Sequence, residues 1–115
     1  MQITIKVLNG KNGKPVVLES PNVYVGDSIG NVNPHTDRHG QARLRIPTNA
    51  ETIKISPNWG DECRRATTLP SYSIAEILQK GIVTENSCGA SRVNPTPGVL
   101  VFYERPHTWW ERTWS

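Results

Sequence analysis

The chain of 115 residues lacks any run approaching the roughly 20 apolar residues that a membrane-spanning helix requires, so no membrane span is expected. Its first residues, MQITIKVLNG, lack a charged segment followed by an apolar one. No signal peptide is therefore read there. Charge of one sign is also scarce: 13 basic against 10 acidic residues leave a net charge of +3. The Lys and Arg residues are scattered from Lys6 to Arg112 instead of forming the concentrated basic stripe of a nucleic-acid binder, so no nucleic-acid partner is expected. No segment repeats, no stretch is of low complexity, and no composition shift marks a domain boundary, so residues 1–115 are read as one domain.

What is present points to β-structure. Nine Gly and nine Pro beside a hydrophobic fraction of 36% imply many turns and short elements. ITIKVLN alternates, with Ile3, Ile5 and Val7 on one face and Thr4 and Lys6 on the other, as in a half-buried strand. A turn-rich NGKNGKP precedes a second apolar run, VVL, and NVYVGD gives a third strand with Val23 and Val25 facing alike. Residues 28–35 read as loop. Asp37 to Gly40 form a tight turn in which Gly40 supplies a positive φ. After it, Ala42, Leu44 and Ile46 alternate with Arg43 and Arg45 until Pro47. TIKIS repeats the pattern before a PNWGD turn.

SYSIAEILQKG changes the period. Ser73 and Glu76 form a capping box, Ile74, Ile77 and Leu78 take helical spacing, and Gly81 is placed to end the helix. One short helix is expected near 74–80. The stretch from Gly81 to Pro97 reads mostly as loop, and GVLVFYERP as the last strand. The expected fold is mainly β: a single sandwich of about seven strands, prealbumin-like or Ig-like, with that one helix.

The first half, with Gly13-Lys14-Pro15, the Val23–Val25 face and Thr36-Asp37 followed by Gly40, resembles the carboxypeptidase regulatory-like domain. The resemblance covers roughly residues 2–58. It implies a prealbumin-like (transthyretin-like) sandwich with an accessory role and supplies no catalytic residues. Residues 59–115 depart from that pattern and resemble an extension found in small bacterial secreted proteins without an assigned activity.

Cys63 and Cys88 are the two cysteines, both in polar, turn-rich stretches, whereas buried free thiols favour apolar elements. A Cys63–Cys88 disulfide is expected, tying the loop before the helix to the loop after it. That bond favours an oxidising compartment, secreted or periplasmic. No Cys-x-x-Cys spacing supports a redox pair.

Other constellations are weaker. Gly26-Asp27-Ser28-Ile29-Gly30 matches the nucleophile elbow of α/β-hydrolases, but Asn31, Asn33 and Pro34 follow where the elbow needs a helix. His35, Asp37 and His39, with His107, carry metal-ligating atoms but lie in a turn, where spacing does not converge them. No metal and no cofactor are expected. Arg43 and Arg45 on one strand face are read as solubilising residues. Lys6 faces outward and VLVFYERP contains no Asn or Asp, so no isopeptide bond is expected.

The ending, ERPHTWWERTWS, carries Trp109, Trp110 and Trp114. Thr108 and Glu111 form a second capping box that starts a helical turn and sets Trp110 and Trp114 on one face. The favoured reading is a lid over the core. The alternatives are a partner or self-association surface formed by the tryptophans, and a glycan platform of Trp59, Trp109 and Trp110. No nucleophile–base–oxyanion set is assembled, so the expected function is a non-enzymatic accessory or protein-interaction module, with a small carbohydrate-binding module as the alternative.

Overall fold

The computed structural model describes residues 1–26 and 31–107. Eight strands and one helix are present among them: β1 (Gln2–Asn9), β2 (Asn22–Val25), β3 (Gln41–Arg45), β4 (Thr52–Ser56), β5 (Gly60–Glu62), β6 (Tyr72–Ser73), α1 (Ile74–Gln79), β7 (Ile82–Val83) and β8 (Val99–Pro106). They form two sheets in a sandwich-like arrangement. One sheet runs β3-β1-β8-β5, with β7 also pairing β8, and the other runs β2-β4-β6.

The strand alternation read from the sequence sets which residues meet between the sheets. Ile3, Ile5 and Val7 of β1, Leu44 of β3 and Leu100 and Phe102 of β8 face Val23, Ile53 and Ile55 of the other sheet. Each such side chain, fully removed from water, contributes roughly 1.5–3 kcal/mol before entropy is counted. The helix closes this core with Ile74 and Ile77. Its first turn is capped as the sequence predicts, the Ser73 hydroxyl accepting the Glu76 N–H at 3.2 Å. Lys80 takes the C-cap position and Gly81, at φ 83°, turns the chain away.

The first and last strands lie side by side and parallel, Thr4 opposite Val99 through Asn9 opposite Glu104. A parallel, central strand has both faces covered, which explains the unbroken apolar run Val99–Tyr103. Its second face, Val101 and Tyr103, packs with Leu8 and Cys63. The chain from Thr84 to Gly98 covers that face: the Thr84 N–H donates to Val101 O at 3.0 Å and the Val93 N–H to the Tyr103 hydroxyl at 2.8 Å.

The structure differs from the sequence reading at several short elements. VVL is not a strand: Val16 bonds Val7, then Leu18 takes φ 57° and turns the chain. The PNWGD stretch read as a turn bends only at Asn58–Trp59, and its Gly60 and Asp61 already belong to β5, paired antiparallel with β8. Ile82–Val83 pair with β8 inside the stretch read as loop. Strands of two or three residues carry no periodicity to read. The Asp37 turn forms as expected. Its Oδ1 accepts the N–H groups of His39 and Gln41 at 2.8 and 3.0 Å, and Gly40 takes φ 72°. The backbone bonds from Gln41 and His39 hold the Asp37 carboxyl below its ordinary value.

Candidate functional site

The feature that composition hides is a cluster of buried charge at one end of the sandwich. Alternation along β8 turns Leu100, Phe102 and then Glu104 toward the space between the sheets. Glu104 has 0% exposure, and neither of its carboxyl oxygens meets a hydrogen-bond donor. Across the strand pairing lies Glu62, its register partner on β5. Beside it lies Glu19, 3% exposed, from the turn before β2.

Glu19 is fixed by its neighbours. Its N–H donates to Thr36 Oγ1 at 2.8 Å, its carbonyl accepts the Thr36 N–H at 2.7 Å, and Thr36 Oγ1 donates onward to Val16 O at 2.8 Å. Its carboxylate accepts the Ser20 N–H at 2.7 Å and, more loosely, the Trp59 N–H at 3.4 Å. Burial first, then the hydrogen bond to Glu19 and the negative charges of Glu19 and Glu62, push the Glu104 pKa up to about 10. Two ionised carboxylates would face each other with no donor between them. A protonated Glu104 supplies that donor, and Glu19 is its acceptor.

Arg64 balances Glu62. Its Nε and Nη2 grip the two Glu62 oxygens at 2.6 and 2.7 Å, while Nη1 donates to the Tyr72 hydroxyl at 3.0 Å and Nη2 to Ile55 O at 2.6 Å. The guanidinium carbon stands 5.0 Å from the centre of the Phe102 ring. Burial alone would lower the Arg64 pKa, but the bonds to Glu62 and Tyr72 outweigh it and leave it raised. None of these bonds reaches Glu104.

Two large apolar side chains near this cluster are exposed. Trp59 is 67% exposed and Leu18 82% exposed. Both attach to Glu19, Leu18 as its chain neighbour and Trp59 through its backbone N–H. Leu18 holds φ 57°, a conformation that costs a branched side chain of this kind about 1–2 kcal/mol. The His107 N–H in turn donates to Trp59 O at 3.1 Å, and its ring reaches Asp61 at 3.2 Å.

The residues singled out from sequence are placed as follows. Cys63 and Cys88 form the expected disulfide, with Cα atoms 5.4 Å apart, joining the chain after β5 to the chain after β7. Trp59 is exposed. Trp109, Trp110 and Trp114 lie outside the described residues, as does Ser28. His35 bonds Ser20 and Asp37 its own turn, and among the described residues no group of three or more His, Cys, Asp or Glu side chains comes together to hold a metal. Among the described residues, a concavity of about 480 Å³ lined by Val25, Gly26, Pro47, Asn49, Ala50, Glu51 and Thr52 brings one ionisable side chain, Glu51. No protein-family model, no curated protein and no solved structure matches the chain.

Proposed function

We propose that this chain is a non-enzymatic interaction module that meets a protein partner through the surface made by Val17, Leu18 and Trp59. One observation carries the reading: two large apolar side chains, Leu18 and Trp59, stand in water while both are tethered to the same buried residue, Glu19. Exposed tryptophan held on a fixed backbone is a recurrent anchor of protein interfaces. A strained, exposed leucine costs the free protein energy that a partner can recover. Val17, 50% exposed, extends the patch.

The non-enzymatic part of the proposal rests on the chemistry of the acid cluster. Glu19 and Glu104 are buried and the Glu62 carboxylate is held at both oxygens by Arg64, so the cluster is built as a structural ion and proton network. The Cys63–Cys88 bond supports an oxidising, secreted or periplasmic setting. No helix of the described residues is long and apolar enough to cross a membrane. The Thr36-Asp37-x-x-Gly40 turn supports the reading of residues 2–58 as similar to the carboxypeptidase regulatory-like sandwiches. A second reading, a carbohydrate-binding module, draws on the same exposed Trp59 ring, which can stack on a sugar face.

The test compares the wild-type chain with Leu18→Gly, Trp59→Ala and Arg43→Ala as immobilised baits. The producing organism's secreted proteins and insoluble polysaccharides are offered in parallel. Retention of one protein species that both patch variants lose and Arg43→Ala keeps supports the interaction module. Retention of polysaccharide lost only with Trp59→Ala supports the carbohydrate reading. Indifference of all binding to both patch variants refutes the patch.

A further inference from the structure

We propose that Glu104 and Glu19 share one proton and act as a clasp that locks the Leu18 turn and the Trp59 turn onto β8, so that removing the proton releases that surface. Three geometric facts carry this. Glu104 is fully enclosed, with two oxygens that no donor satisfies. Glu19, also buried, has its Oε2 at the N–H of Trp59, whose neighbour Gly60 packs on Glu104 Oε2. Gly60, which follows Trp59, packs so closely on Glu104 Oε2 that a Cβ at that position would collide with it.

The surroundings offer no substitute for the proton. From β1 the neighbour is Asn9, which is uncharged. From β5 it is Glu62, another acid, whose cation Arg64 is already committed to Glu62, Tyr72 and Ile55. Asp61 is turned to His107 at the rim. Two adjacent buried carboxylates cannot both ionise without strong repulsion. The repulsion is relieved at the softer partner. β8 is pinned between β1 and β5, and the Glu19 backbone is clipped to Thr36. It is therefore the Glu19 carboxylate, held by the Ser20 and Trp59 N–H groups, that swings away beside the strained Leu18. The Trp59 N–H, bonded to the same carboxylate, loses its acceptor as Glu19 withdraws.

The consequence for partner contact rests on the surface proposed above, but the clasp itself is measured on the free protein. Carboxyl-carbon NMR of the full chain, titrated from neutral to alkaline pH, reads it directly. The expected result is one side-chain carboxyl that remains an acid at neutral pH and titrates on the alkaline side. The backbone amides of Leu18 and Trp59 should shift at the same midpoint. Glu104→Gln removes that carboxyl signal and abolishes the amide step, because its amide still donates to Glu19. Glu19→Gln, which keeps an oxygen as acceptor, moves the Glu104 titration toward neutrality. A neutral-pH spectrum in which every carboxyl is ionised overturns the clasp, as do Leu18 and Trp59 amides blind to the titration. So does calcium that ionises the carboxyl at neutral pH, since the pair would then be a cation site. A clasp that titrates as expected in a chain whose patch variants bind normally leaves the clasp standing and refutes only the contact surface.

Discussion

Arg64 leaves one sheet and bonds the other: its Nη2 lies 2.6 Å from the carbonyl oxygen of Ile55 on β4. The same guanidinium holds Glu62 on its own side and Tyr72 on the far side, so one side chain bridges the open end of the sandwich. Such a bridge offsets its desolvation only while every donor is used.

Replacing Arg64 with Met therefore costs more than a lost surface ion pair. It leaves Glu62 next to two other acids and strands the Ile55 carbonyl. Because the Glu62 side chain is 34% exposed, part of the penalty is screened by water. A loss of about 2–4 kcal/mol is expected in urea unfolding. Tyr72→Phe, which removes a single bond to the guanidinium, should cost about 1 kcal/mol. Equal effects of the two substitutions would contradict the bridge.

Gly60→Ala should destabilise through collision. The added Cβ meets Glu104 Oε2 and, 2.7 Å away, the backbone oxygen of Arg105, which cannot move without breaking the β5–β8 pairing. A cost of about 1–3 kcal/mol is expected from such overpacking. Thermal unfolding checks it, with Gly89→Ala as a control for backbone strain alone, since Gly89 takes φ 130° and its Cβ would meet only Lys11 O at 3.9 Å.

The disulfide closes a loop of sequence separation 25 and buries Cys63 against Leu8, Val101 and Tyr103. Chain-entropy reasoning gives roughly 3–4 kcal/mol for a loop of this length. Cys63→Ala together with Cys88→Ala should lower stability by about that amount, and a reductant should bring the wild type toward the double variant. Intact mass under non-reducing conditions should show both thiols oxidised.

Stability should fall as pH rises. Glu104 binds a proton in the folded chain up to about pH 10 but only to about 4.5 when unfolded. Its contribution is thus fully present below 4.5 and is lost progressively until the folded value is passed. Asp37 acts in the opposite sense, its contribution being lost on acidification, but it is exposed and screened. Glu104→Gln should therefore raise the melting temperature at neutral pH and flatten the decline on the alkaline side. A wild-type chain that gains stability from mildly acidic to alkaline pH would contradict this.

The sequence was most legible where one face of a strand meets the core. β1, β3 and β4 alternate, and Ser73 with Glu76 marked the helix start to the residue. Leu8 breaks the β1 alternation because the chain after β7 buries the second face, and nothing local in ITIKVLN foretells that cover. The acid cluster was illegible for a related reason. Glu19, Glu62, Arg64 and Glu104 are residue types that normally mean solvent, and their meeting depends on long-range pairing. One signal was available: Glu104 continues the inward phase of Leu100 and Phe102 without interruption. Thr36 was read as part of a turn, whereas its buried hydroxyl also clips Glu19 and Val16 together.

The most direct test of the contact surface is a photo-crosslinking phenylalanine analogue placed at position 59, and separately at position 43, in cells that produce the protein. One discrete protein adduct is expected from position 59, absent from position 43 and lost when Leu18→Gly is added. Identical adduct patterns from both positions, or no adduct from position 59, would contradict it.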